Sequence, residues 1–246
     1  MISKNKIITS VACATLLVST IAIANEESTL SNQYGYVQIN GGPAYGITGG
    51  GFFGNKNTGT TGVYGLEAGY KFDDYTRASL SLDYMPNTSF NVSGSENTSG
   101  NIGIVPYTVS SNNNFKVNSW VAMFNAYYDI KNNTNFTPYI TLGVGIARNK
   151  AKSTYTTSTK YNGENIPTST NLGESTKDNF AYKLGIGSRY ALTKTIDFDL
   201  RYQFVDMGKF TTVAGTQTFN GITDPIAAQT VKLKTQEILV GLAYKF

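Results

Sequence analysis

The sequence predicts an all-β fold, an eight-stranded antiparallel up-and-down transmembrane β-barrel, and three observations carry that expectation. Apolar and polar side chains alternate over eight segments of about ten residues, the length of a tilted strand that crosses a bilayer. The connections between these segments alternate short and long. Charged residues are sparse at 15% while aromatics reach 13%, and past the N-terminus no apolar run is long enough for a spanning helix.

The chain opens with the pattern of a secretory signal over residues 1–24. Lys4 and Lys6 make a basic start, residues 7–21 are mostly apolar, and Ala22-Ile23-Ala24 forms a small-residue cleavage site. Residues 25–246 would then be one barrel domain. The only cysteine, Cys13, falls inside the signal, so the processed domain is expected to have neither disulfide nor thiol chemistry. Loss of Lys4 and Lys6 leaves a near-neutral chain, which argues against nucleic acid as a partner.

Strands place successive side chains on opposite faces. Segment 36–41 sets Val37 and Ile39 against Gln38 and Asn40. Segment 64–72 sets Leu66, Ala68, Tyr70 and Phe72 against Glu67 and Lys71. In 76–84, Ala78, Leu80, Leu82 and Tyr84 oppose Arg77, Ser79, Ser81 and Asp83. Segment 119–129 aligns Trp120, Ala122, Phe124, Ala126 and Tyr128. In 136–147, Ile140, Leu142, Val144 and Ile146 oppose Tyr139, Thr141, Gly143 and Gly145. Segment 180–190 sets Phe180, Tyr182, Leu184 and Ile186 against Lys183, Gly185, Gly187 and Arg189. The purest case is 196–204, with Ile196, Phe198, Leu200, Tyr202 and Phe204 against Asp197, Asp199, Arg201 and Gln203. The last, 237–246, sets Ile238, Val240, Leu242, Tyr244 and Phe246 against Glu237, Leu239, Gly241, Ala243 and Lys245.

Three connections are tight turns, at 73–75, 131–135 and 193–195. Four are long and rich in Asn, Thr, Ser and Gly, at 46–60, 85–116, 148–178 and 206–232. Short turns at one end and long loops at the other are the pattern of barrels in a bacterial outer membrane, with both termini on the short-turn side.

The apolar face therefore points to lipid. The opposite face carries glycines and charges of both signs: Glu67, Lys71, Arg77, Asp83, Lys183, Arg189, Asp197, Asp199, Arg201 and Glu237. A barrel of about eight strands has an interior only wide enough to be filled by side chains, so these charges are expected to pair across the lumen while glycine makes room for them. Aromatic residues near strand ends, Tyr36, Tyr70, Phe72, Tyr84, Tyr128, Phe136, Phe180, Tyr190 and Phe246, suit the membrane–water boundary. Tyr244 and Phe246, with alternating apolar residues behind them, look like a C-terminal signal read by the barrel-insertion machinery.

The chain resembles the small eight-stranded surface proteins of the opacity and OmpA-like barrel class, in style the surface antigens and adhesins of rickettsia-like bacteria. The likeness rests on Asn179-Phe180-Ala181-Tyr182-Lys183-Leu184-Gly185-Ile186-Gly187, on Leu200-Arg201-Tyr202-Gln203-Phe204-Val205-Asp206-Met207-Gly208-Lys209, on Asn125-Ala126-Tyr127-Tyr128-Asp129, and on the run from Pro138-Tyr139 to Gly145. It implies residence in outer-membrane lipid, loops at the cell surface, and adhesion to host cells or to serum proteins such as vitronectin. Unlike the larger OmpA proteins, the chain is expected to stop at its eighth strand, with no peptidoglycan-binding domain.

The chain contains no histidine. That excludes histidine-based triads and histidine metal ligands, and no catalytic, cofactor or metal site is expected. Binding should sit in the loops. Arg148, Lys150, Lys152 and Lys160, interleaved with Tyr155 and Tyr161, form a basic-aromatic candidate for an acidic host ligand. Phe210 and Phe219 supply apolar contacts in the last loop. The reading is a non-enzymatic, adhesin-like surface barrel; the alternative is a narrow porin or a passive structural barrel of the envelope.

Overall fold

The computed structural model describes residues 33–47, 59–92, 98–102, 105–161, 164–211, 214–219, 222–226, 228 and 230–246. The expected signal, residues 1–24, lies outside the described residues. Eleven strands follow one another with no helix among the described residues: β1 Tyr34–Ile47, β2 Thr60–Lys71, β3 Thr76–Val92, β4 Thr98–Ile102, β5 Val105–Asp129, β6 Phe136–Tyr161, β7 Glu164–Ala191, β8 Ile196–Thr211, β9 Gly215–Phe219, β10 Ile222–Ile226 and β11 Thr230–Lys245.

Eight of these close a barrel in the order β1-β2-β3-β5-β6-β7-β8-β11, each antiparallel to its neighbours, with β1 pairing back onto β11. Val37 faces Tyr244 across that seam, and the backbone of Gly35 exchanges hydrogen bonds of 3.0 and 2.9 Å with Phe246. The chain's two ends thus remove the open edge that a sheet would otherwise present. β4 lies along β5, and β9–β10 is a separate hairpin.

Large apolar side chains cover the outside: Leu66 is 62% exposed, Ile146 62%, Phe180 67% and Ile186 60%. Water would make such a surface untenable, whereas lipid covers it at no cost. Tyr84 and Trp120, with ring centroids 4.5 Å apart, mark its outer boundary. Tyr75 and Tyr128, at 6.2 Å, mark the boundary on the short-turn side. Tyr36, expected among these aromatics, is instead wholly buried in the lumen, because its parity is opposite to that of lipid-facing Val37 and Ile39.

The three tight turns fall at the expected positions. In the first, the Asp73 carboxylate accepts the backbone N–H groups of Tyr75 and Thr76, both at 2.7 Å, and these bonds hold its pKa below the usual range. The four long connections depart from expectation. Much of 85–116 and 148–178 is strand, because β5, β6 and β7 run for 25, 26 and 28 residues. A bilayer takes up about ten of these at a rise of roughly 3.3 Å each, so β6 and β7 carry about 50 Å of ladder beyond it. In 206–232, β8 and β11 extend inward from each side and the β9–β10 hairpin occupies part of the span. Of 46–60, residues 48–58 lie outside the described residues.

Candidate functional site

Two regions can carry function, the lumen and the ladder outside the bilayer. Alternation delivers Tyr36, Glu67, Arg77, Tyr127, Tyr139, Asp199 and Arg201 to the inside of different strands. Gly69 and Gly187, the register partners of Tyr36 and Tyr139, sit where a Cβ would come 2.5–2.6 Å from those rings, so each tyrosine can lie over its neighbouring strand only because the partner position lacks a side chain.

Glu67 is the hub. It accepts hydrogen bonds from the hydroxyls of Tyr127 (2.7 Å) and Tyr36 (3.0 Å) and pairs with Arg201 at 3.3 Å. Arg201 also donates to Tyr127 Oη at 3.0 Å, and Tyr139 donates to Asp199 at 2.8 Å. Arg189 pairs with Asp199 at 3.4 Å and donates to Gln38 at 2.6 Å. Arg77 binds Asp129 at 2.8 Å, and its guanidinium lies over the rings of Tyr127 (4.4 Å) and Tyr139 (4.8 Å). Towards the short-turn mouth, Lys71 reaches Asp129 at 3.3 Å and Lys245 reaches Asp197 at 2.6 Å. A cavity of about 90 Å³ opens there, lined in part by Tyr34, Arg189 and these two ion pairs. Higher in the barrel, Glu237 accepts from Gln203 and Thr235, both at 2.7 Å, Asp83 accepts from Ser81 at 3.3 Å, and Lys183 is buried.

The outer half of the lumen holds an apolar cluster packed around a few buried polar side chains such as Ser119 and Asn149, which the sequence reading did not anticipate. Met85, Val121, Met123, Val205, Met207 and Leu239 are each 1–3% exposed and belong to one cluster. Phe210 belongs to it too, at 3% exposure, and so is not an accessible binding residue. The cause of its burial is a bulge: the four residues of β8 from Asp206 to Lys209 span three of β11 from Lys234 to Lys232, with Gly208 at φ 82°. The extra residue reverses parity, turning Phe210 in and Lys209 out.

On the outer ladder, the basic residues are less free than their composition suggests. Arg148 holds Asp178 through two hydrogen bonds of 2.8 Å. Lys150 and Lys152 share Glu174 at 2.6 and 2.7 Å, and these two ammonium groups pull its carboxyl down to about 2. Lys160 is exposed, with no ion pair among the described residues. Tyr155 and Tyr161 belong to β6 and Phe219 to β9, but their side chains lie outside the described residues. At the C-terminus, Tyr244 and Phe246 face outward, 54% and 55% exposed. No group of metal-binding side chains occurs among the described residues.

A family model described as an outer membrane protein β-barrel domain matches residues 10–246. Outer membrane protein PagN of Salmonella typhimurium is 28% identical over 194 residues, which cover 76% of this chain and 74% of that protein. An uncharacterized protein of Brucella abortus is 34% identical over 150 residues, 58% of this chain and 50% of its own length, so the match spans half of that relative. Among solved structures, Neisserial surface protein A is similar at 16% identity and a TM-score of 0.47, over 86% of this chain and 97% of that one. Ail of Yersinia pestis, solved with the heparin analogue sucrose octasulfate, is similar at 14% identity and a TM-score of 0.39, over 86% and 99% of the two chains.

Proposed function

This chain belongs to the outer membrane protein β-barrel domain family, and from that premise we propose that it is a non-enzymatic, adhesin-like protein whose extracellular ladder binds host or environmental partners. It is a bacterial outer-membrane protein with its long connections at the cell surface. The observation that carries the proposal is the length of β5, β6 and β7 beyond the bilayer. A barrel that only stabilised the envelope would gain nothing from about 50 Å of ladder outside it.

The filled lumen weighs against the porin reading. Side chains at 0–7% exposure occupy it from Tyr36 to Leu239, and its outer half is packed by an apolar cluster in which the polar side chains present, such as Ser119 and Asn149, are bonded to each other, so no open water path is left for ions. The recognition surface is the outward face of β6 and β7, where Lys160 is an exposed cation with no ion pair among the described residues and the 148–178 ion pairs stiffen the ladder. Tyr244 and Phe246 act earlier, as the signal that the barrel-insertion machinery reads.

The test is adhesion of bacteria that display the full-length protein, beside a version whose hairpin is removed from Lys152 to Glu174 and closed by an Asn-Gly turn. Adhesion to host cells or serum proteins that disappears with the hairpin, while the shortened barrel still resists unfolding in detergent, is the expected result. Equal adhesion by both versions would overturn it.

A further inference from the structure

Above the bilayer the barrel no longer closes. β8 pairs with β7 from Asp197–Ala191 to Asp206–Tyr182 and no further, while β6 accompanies β7 outward to the Tyr161–Glu164 pair. Among the described residues, β7 from Glu164 to Ala181 therefore has a strand on one side only. Closure removes every edge inside lipid, and an edge returns once β8 has left the ladder. The direction of the backbone on this edge follows from the lower end of the strand. The Ala191 N–H goes to Asn135 O on the β6 side, and the Leu192 N–H goes to Ile196 O on the β8 side. Register with β6 is unbroken from Tyr190 up to Glu174, so this alternation carries through. Glu174, Thr176 and Asp178 thus turn their N–H and C=O groups to the open side.

The side chains leave this stretch accessible. The Glu174 carboxylate is held by Lys150 and Lys152 and the Asp178 carboxylate by Arg148, all on β6, so both lean away from the open side. Further out the edge is broken. The register with β6 shifts between Lys152 and Thr154, where Gly173 has φ 88°, and Pro167 has no N–H to give. Bulges and prolines are the devices that stop a sheet edge from taking up another strand. The segment from Glu174 to Asp178 carries neither. Its surroundings are cationic, since Arg148, Lys150, Lys152 and the exposed Lys177 outnumber Glu174 and Asp178. An incoming strand with carboxylates is attracted there, and a second copy of the same edge is repelled. Copies in one membrane also run their β7 strands the same way, which rules out an antiparallel ladder between them.

We propose that the edge of β7 from Glu174 to Asp178 is a strand-addition site for an extended acidic segment of a partner protein. The proposal rests on the adhesin-like reading above and names the kind of partner that reading requires. One N–H and one C=O from each of Glu174, Thr176 and Asp178 supply the main-chain bonds that give such a complex its affinity. The surrounding cations select acidic side chains on the added strand.

The test titrates the full-length barrel in detergent with a short peptide of alternating glutamate and threonine. Three N-methylated forms keep its charges: one methylated on the glutamates, one on the threonines and one on every residue. The fully methylated form should bind at least tenfold more weakly than the parent peptide, while at least one singly methylated form binds like the parent. Thr176→Pro removes an edge N–H without touching the bonds to β6 and should also cost at least tenfold, with Thr176→Ala unchanged. Equal affinity for the parent and fully methylated peptides would mean that charge alone attracts them and would overturn the proposal. Full binding by Thr176→Pro would overturn it as well. Should that variant fail to fold, the methylated peptides decide on the unaltered protein. Bacterial adhesion separates the two readings. Adhesion lost with the hairpin but kept by Thr176→Pro overturns the edge site alone. No adhesion by the unaltered protein, with the peptide still held through its backbone, overturns the adhesin-like reading and supports the edge site.

Discussion

Truncation of Glu67 to alanine probes the lumen at its hub. The substitution removes an ion pair at 3.3 Å with Arg201 and the acceptor for two tyrosine hydroxyls, all buried. At an effective dielectric of about 20, that pair interacts with about 5 kcal/mol of Coulomb energy, part of which repays the cost of desolvating both ions. Removing one partner leaves the Arg201 guanidinium, 2% exposed, with Asp199 at 3.9 Å as its nearest remaining carboxylate. Breaking a buried pair in this way costs about 3–5 kcal/mol. Equilibrium unfolding in guanidinium reports the loss, with the single tryptophan, Trp120 in the outer aromatic girdle, as its fluorescent probe. Breaking the exposed Arg148–Asp178 pair by Asp178→Ala should cost only about 0.2–1 kcal/mol in the same assay. A loss below about 1 kcal/mol for Glu67→Ala would mean that water reaches the hub, and the description of a dry, packed lumen would be wrong.

Gly69→Leu drives its side chain into the Tyr36 ring and should cost about 1–3 kcal/mol, or prevent refolding, in a denaturant titration; a variant as stable as the parent would contradict the packing of Tyr36 against Gly69. The carboxyls of Glu174 and Asp178 are held below their ordinary range by Lys150, Lys152 and Arg148. Their contribution to the outer ladder is therefore fully present above the ordinary carboxylate pKa and lost as pH falls towards about 2. Amide exchange across the 148–178 ladder, followed from pH 6 downward, should lose protection in that window, while flat protection would count against the ion pairs. Phe246→Ser removes one of the two outward-facing rings at the C-terminus, so the fraction of newly exported chain that reaches a heat-resistant folded form should drop several-fold. Unchanged assembly would deny Phe246 its role as a signal.

The lipid-crossing part of the barrel was legible because its two faces meet different solvents. Alternation is sharp wherever one side is lipid and the other a polar lumen, as in 196–204, and there the periodicity alone orients every residue. Beyond the bilayer the apolar–polar alternation disappears from the sequence of β5, β6 and β7, and polar stretches such as Thr154 to Thr159 read as loop although their threonines and tyrosine suit a strand. Phe210 reads as a loop residue because the alternation of β8 is clear only to Phe204, whereas the strand runs on to Thr211 and the Gly208 bulge turns Phe210 inward. The apolar plug was hidden by chemistry rather than geometry. Val121 and Met123 look like lipid-facing residues until the parity of Trp120 beside them is applied strictly, whereas Leu239 shares the inward face of Glu237. The ion pairs of the outer ladder could not be read at all, since Arg148 and Asp178 meet only once the β6–β7 register is set.

The central claim is that this barrel is a sealed scaffold whose function lies outside the bilayer. Single-channel recording of the purified protein in planar bilayers tests that most directly. Silent membranes, with steady openings only after Met85, Met123 and Met207 are together replaced by serine, are the predicted result. Stable openings of the unaltered protein, with a conductance that changes when Arg201 or Asp199 is neutralised, would contradict it.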